Sequence, residues 1–217
     1  MKTPHQQMVT DLVKPGADIL ASLTPEKCNI LHMNWGLVGE HMELTQGFMA
    51  LQLALGDPAQ VPDYTNVIEE LGDMHFYLEA LAQAFDCQLT LLEALFPEVQ
   101  DSGPMELLNA VEEVSDILKK YVMYDKPLTG EQIKELHEGF ATIYASLHNL
   151  ARSLQVTPEE VLEANMQKLL KGATARYKDG SYSDEQAQNR ADKAEDAGID
   201  PTKTDSEKSA TLKVVKQ

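Results

Sequence analysis

Three observations predict an all-α protein. Strand-like alternation of apolar and polar residues is scarce, Gly and Pro gather at punctuation points, and the intervals between those points carry apolar residues at helical spacing. A first helix is expected over residues 4–22, with a break at Pro15-Gly16. A second starts at Thr24-Pro25-Glu26, with Thr24 as N-cap and Pro25 at the first helical position. It runs to about Leu55 and stops at "GDP", 56–58. A third begins after Asp63 and runs to about Phe85. Shorter helices are expected at 90–98 and 104–123. Another starts at Thr129, where Thr129 and Gln132 form a capping box, and the last starts at Thr157, with Glu160 closing a second box, and runs to about Lys171. From Lys178 the composition turns polar and mixed in charge. The chain therefore divides into a helical domain, 1–177, and a C-terminal extension, 178–217, whose end from about Asp196 is expected to be disordered or loosely attached.

The balance of charges narrows the function. A formal net charge of −17 repels phosphate backbones and sets nucleic-acid binding aside. A small phosphorylated substrate stays open only if a divalent cation offsets the repulsion. The two cysteines, Cys28 and Cys87, lie on apolar helical patterns; buried packing is their default, and a reduced, cytoplasmic setting is expected. The N-terminus lacks the continuous apolar core of a signal peptide, and no apolar run suggests a membrane span.

The stretch "GEHMEL", 39–44, poses the central question. Met33, Leu37, Leu44, Phe48, Leu51 and Leu55 recur at helical spacing and mark one apolar stripe, and Glu40 falls on it. Glu43 follows three residues later, a neighbour on the same helix face. The third helix repeats the device: its stripe is Val67, Leu71, Met74, Leu78, Leu81 and Phe85, flanked by Glu70 and Asp73. A short connection makes the two helices antiparallel neighbours, so four carboxylates can converge. Repulsion and desolvation would force protonation of such a set unless a cation intervened. Oxygen ligands suit Mg²⁺, with Mn²⁺ as the alternative. Any single acidic pair at this spacing would by default be a solvated helix edge. Two such pairs on consecutive helices argue against that, and Gly39 and Gly72 beside them hint at close helix approach.

"LHMNWGLVGEHMEL" followed by "NVIEELGDMHFYLEALA" resembles the MazG-like nucleotide pyrophosphohydrolases of the all-α NTP pyrophosphatase superfamily. That family carries E-x-x-E on one helix and E-x-x-D on the next. "NMQKL" (165–169), "RY" (176–177) and "DGSYS" (179–183) are similar to its later motif, so the resemblance covers 30–86 and 162–190. It implies a MazG-like helical bundle, usually completed by dimers or larger oligomers, that cleaves (d)NTP between the α and β phosphates to (d)NMP and pyrophosphate. It implies Glu40, Glu43, Glu70 and Asp73 as metal ligands, with a metal-activated water as nucleophile and one of these carboxylates as base. It implies Asn165, Lys168, Arg176 and Tyr177 as phosphate or sugar contacts, and His32 and Trp35 as lining of the substrate pocket, with Trp35 stacking on a base. Packing is the default for the only tryptophan. A dUTPase-like or phosphoribosyl-ATP pyrophosphohydrolase member would share the metal chemistry and differ in the base pocket.

The departure from the family pattern is the stretch 90–160, where about two further helices intervene. "YLEALAQAFDCQLTLLEAL" (77–95) echoes "SLHNLARSLQVTPEEVLEAN" (146–165) with one inserted residue. If the echo is a duplication, the chain is a tandem pseudo-dimer with a degenerate repeat over 104–172, in which Glu70 aligns with Gly139 and Asp73 with Thr142. The acidic pairs Glu113/Asp116 and Glu135/Glu138 are expected to be solvated faces. His41 and His75 are expected to be exposed, or to support the acidic residues without being ligands themselves. Two other classes remain. Di-iron bundles usually need Glu-x-x-His, which this chain lacks. A non-catalytic helical assembly protein would show no metal dependence.

Overall fold

The computed structural model describes residues 2–177, 179–189 and 191. Among the described residues every regular element is helical. The order is α1 (Pro4–Leu12), α2 (Gly16–Ser22), α3 (Pro25–Gly56), α4 (Tyr64–Ala84), α5 (Leu89–Leu95), α6 (Pro104–Met123), α7 (Gly130–Ser153), α8 (Pro158–Met166) and α9 (Asp184–Asn189). A 3₁₀ turn covers Pro97–Val99 and a π turn follows α8 at Gln167–Lys171. The expected caps are present: Thr24 accepts from the Lys27 amide, Thr129 and Gln132 bond reciprocally, and so do Thr157 and Glu160. The break at Pro15 separates α1 from α2. No helix of the described residues is long and apolar enough to cross a membrane. The chain forms two compact units, 1–162 and 163–217. The tail proposed from Asp196 lies outside the described residues.

In the first unit α3 and α4 form one antiparallel hairpin and α6 and α7 a second. α3 packs beside α6, and α4 beside α7. The stripes read from sequence supply the core, where Leu37, Leu44, Val67, Leu71, Met74, Leu78 and Leu81 are fully buried against Leu118, Leu136, Phe140, Ile143 and Leu147. Loss of one such side chain to Ala costs about 2–5 kcal/mol, because packed helices relax only partly around the void. The α3 stripe departs from expectation at two positions. Phe48 is half-buried and Leu55 is exposed, whereas Leu51 and Ala54 carry the buried face on to the last turn of α3.

Of the expected pair, Gly72 is buried in α4 and Gly39 is not a point of close approach. A Cβ at Gly39 would meet open space. At Gly36 it would strike the Tyr77 ring, and at Gly139 it would sit 2.6 Å from Val114 Cγ2. These two glycines permit the α3–α4 and α6–α7 crossings. Two polar contacts involve buried side chains, Lys27 and Asn34. Lys27 pairs with Asp125, and Ser115 Oγ donates to Asn34 Oδ1 at 3.1 Å across α3 and α6. Between α4 and α7, His75, Tyr144 and His148 pack ring against ring, with centroids 4.0–5.7 Å apart. His75 and Tyr144 occupy equivalent places in the 77–95/146–165 echo, extended by two residues.

The second unit is small among its described residues. The Arg176 amide donates to Lys168 O at 3.0 Å and the Tyr177 amide to Leu169 O at 2.8 Å, so the chain folds back on the π turn. Lys171 pairs with Glu163 at 3.1 Å.

Candidate metal and active site

The α3–α4 register follows from the two close contacts. Gly36 lies against Tyr77, and Gly47 lies against Asn66 and Val67. Antiparallel progression between them sets Glu43 level with Glu70 and Glu40 level with Asp73. Carboxylate oxygens of Glu40, Glu43 and Glu70 all lie within 4.8 Å of one another. Asp73, half-buried one turn beyond Glu70, stands outside that trio, so three of the four expected carboxylates meet. Its charge still reaches the group. The Glu70 carboxyl is pushed up to about 8, by burial first, then by its hydrogen bond with Glu40, then by the charges of Glu40, Glu43 and Asp73.

The inward carboxylate is Glu70, at 6% exposure; Glu40, which the sequence pattern placed on the stripe, is half-buried, and Glu43 is exposed. The reason is helix rotation: the α3 stripe faces α4 and α6 together, which turns Glu40 toward the rim. Beside the trio an open groove of about 630 Å³ follows α3. Gly39, Met42, Glu43, Gln46, Gly47 and Ala50 line it from α3, and Asn66 and Glu70 from α4.

Several expectations change here. Trp35 is 65% exposed and is not packed, and His32 is also exposed; neither lines the groove. Both fall on the solvent face of α3, away from the stripe. His41 and His75 are buried, not exposed, because they lie on the core sides of α3 and α4. Burial lowers His41, and burial with the neighbouring His148 lowers His75 to about 3. Cys28 is exposed and Cys87 half-buried, so packing does not hold for Cys28. Asn165, Lys168, Arg176 and Tyr177 all belong to the second unit, where the fold-back joins the Lys168 and Arg176 backbones. Glu113, Asp116 and Glu135 are exposed and Glu138 is half-buried; no metal-binding group forms there among the described residues.

Gln46 and Asn66 were not singled out from sequence. The available signal was positional: each is one turn from an acidic residue, on the side away from the apolar stripe. No protein-family model, curated protein or solved structure matches this chain.

Proposed function

We propose that the chain is a divalent-metal-dependent nucleoside triphosphate pyrophosphohydrolase of the MazG-like type, converting (d)NTP to (d)NMP and pyrophosphate. The observation that carries the reading is the meeting of Glu40, Glu43 and Glu70 on one helical hairpin, at E-x-x-E and E-x-x-D spacing with Asp73. The donor set fits a hard cation. It is all oxygen and anionic, and burial, the hydrogen bond with Glu40 and the neighbouring acidic charges keep the proton on Glu70 near neutrality. When bound, Mg²⁺ or Mn²⁺ would neutralise phosphate charge and acidify a water.

The chain's own groups do the rest. Glu40 and Glu70, joined by a hydrogen bond, hold the inner oxygens in place. Exposed Glu43 stands on the substrate side. A carboxylate of the set accepts the proton of the attacking water as its oxygen bonds to the α-phosphorus and pyrophosphate leaves. Lys168 and Arg176 have the chemistry for phosphate oxygens, and Asn165 and Tyr177 for sugar or phosphate. A dUTPase-like or phosphoribosyl-ATP substrate range would use the same carboxylates.

The architecture included in this reading is a tandem pseudo-dimer. The pairing α3–α6 and α4–α7, and the contact of His75 with its echo partner Tyr144, support a local two-fold relation between the hairpins. Further association into a dimer or tetramer, and a cytoplasmic setting, belong to the proposal as well. The deciding experiment incubates the full chain with each canonical NTP and dNTP and Mg²⁺, resolving products by ion exchange. Monophosphate and pyrophosphate are expected, with loss of turnover in EDTA. Orthophosphate with a diphosphate would exclude the assignment.

A further inference from the structure

We infer that the groove beside the carboxylates takes the base of the nucleotide, and that Gln46 and Asn66 select which base it is. The inference rests on the pyrophosphohydrolase reading and adds the substrate's orientation and two specificity-determining residues.

Charge decides which end of a nucleotide enters. The groove is lined by two carboxylates and otherwise by neutral groups, with no Lys or Arg. A polyphosphate is tolerated only beside Glu43 and Glu70, where a cation offsets the repulsion. The neutral stretch of Gln46, Gly47, Ala50 and Asn66 suits an uncharged ring. Shape agrees with charge. Gly39, Gly47 and Ala50 add no bulky side chains to the lining, and Met42 offers a soft apolar contact. Gly47 has a specific part in this. A Cβ there would sit 3.0 Å from Asn66 Nδ2 and 3.3 Å from Val67 Cγ2, so glycine lets the Asn66 amide lie against α3.

Distance also fits. Gln46 follows Glu43 by one turn and Asn66 precedes Glu70 by one turn. The offset is roughly 5 Å along the axes, the kind of span a pentose bridges between phosphate and base. Both side chains are exposed, and neither makes a hydrogen bond with another described residue. Each presents one carbonyl acceptor and an NH₂ donor, the pair that matches the donor–acceptor edge of a base.

The test is steady-state kinetics with Mg²⁺ on all canonical NTPs and dNTPs, comparing the full chain with Gln46→Leu, Asn66→Leu and the size-conserving Gln46→Glu and Asn66→Asp. The wild-type chain should rank the bases. The Leu variants should lose roughly 10- to 100-fold in kcat/KM on the preferred base, mostly through KM, and flatten the ranking. Thermal melts should match the wild type, because both positions are exposed. Cleavage by the wild type with an unchanged ranking in all four variants overturns this inference and leaves the pyrophosphohydrolase reading standing. A wild type that cleaves every base equally also overturns it. A wild type that cleaves no nucleotide removes the reading and this inference together.

Discussion

Glu70→Gln in metal-free buffer tests whether the carboxylate trio is a real electrostatic unit. Glu70 is buried, hydrogen-bonded to Glu40 and flanked by the charges of Glu43 and Asp73, which raise it from 4.5 to about 8. A carboxyl raised on folding binds its proton more tightly in the native than in the unfolded chain. Its contribution is therefore fully present below pH 4.5 and is lost as pH rises through about 8. A rise of this size corresponds to on the order of 3–5 kcal/mol between those limits. Gln removes the titrating proton and leaves the shape. The stability difference between variant and wild type should be small at pH 5 and should grow by several kcal/mol in favour of the variant by pH 9. Urea unfolding in EDTA, followed by circular dichroism at several pH values, measures it. Adding Mg²⁺ at pH 9 should stabilise the wild type and do much less for the variant, because the cation takes over the role of the proton. Parallel stability curves for the two proteins across pH 5–9 would refute the reasoning, and the trio would then be three solvated acids.

Asp73→Asn should lower turnover by orders of magnitude, whereas Glu113→Gln, on the solvated face of α6, should leave it unchanged; steady-state kinetics compares them. Gly39→Ala should raise stability by about 0.5–1 kcal/mol, since its Cβ meets nothing. Gly139→Ala should lose about 1–3 kcal/mol against the stiff, buried Val114, and thermal unfolding reads both. His75 has the opposite pH sign to Glu70: lowered from 6.5 to about 3, it costs stability as pH falls from 6.5, where only the unfolded chain takes the proton. Acid unfolding of His75→Phe should accordingly be shallower than that of the wild type between pH 6.5 and 4, if both remain folded at pH 7.

Periodicity and caps made most of the fold legible. A Thr at the N-cap with Pro or a capping box behind it has one local solution, so Thr24, Thr129 and Thr157 start helices where expected. The acidic spacing was legible for the same reason, since residues three apart on a helix share a face whatever the tertiary context. What sequence could not supply was helix rotation and neighbour identity. Glu40 sits on the apolar stripe by counting, yet α3 faces two partners at once, and the deeper carboxylate is Glu70. Gly39 and Gly36 are indistinguishable as letters; only the position of Tyr77 makes one of them a contact. His41 and Cys28 exchange their expected burial for that same reason, each lying a fraction of a turn from the predicted boundary.

The two hairpins differ most where they should be most alike if one were copied from the other. On the echo's alignment Glu70 falls on Gly139, and Val114 fills the space above it at 2.6 Å from where a Cβ would stand. An acidic side chain there would have to displace a fully buried valine and would bring an unpaired charge into the core. Thr142, aligned with Asp73 in the echo, turns its hydroxyl to the Glu138 carbonyl at 2.8 Å within its own helix. The second hairpin would not gain a carboxylate cluster by substitution at these positions alone, because α6 and α7 lie too close there. Its contribution is to bury one face of α3 and α4, which leaves the other face, with Glu43, the groove and Gln46, to solvent. Under the tandem reading, a closed second hairpin packed behind α3 and α4 is compatible with the single acidic cluster found among the described residues.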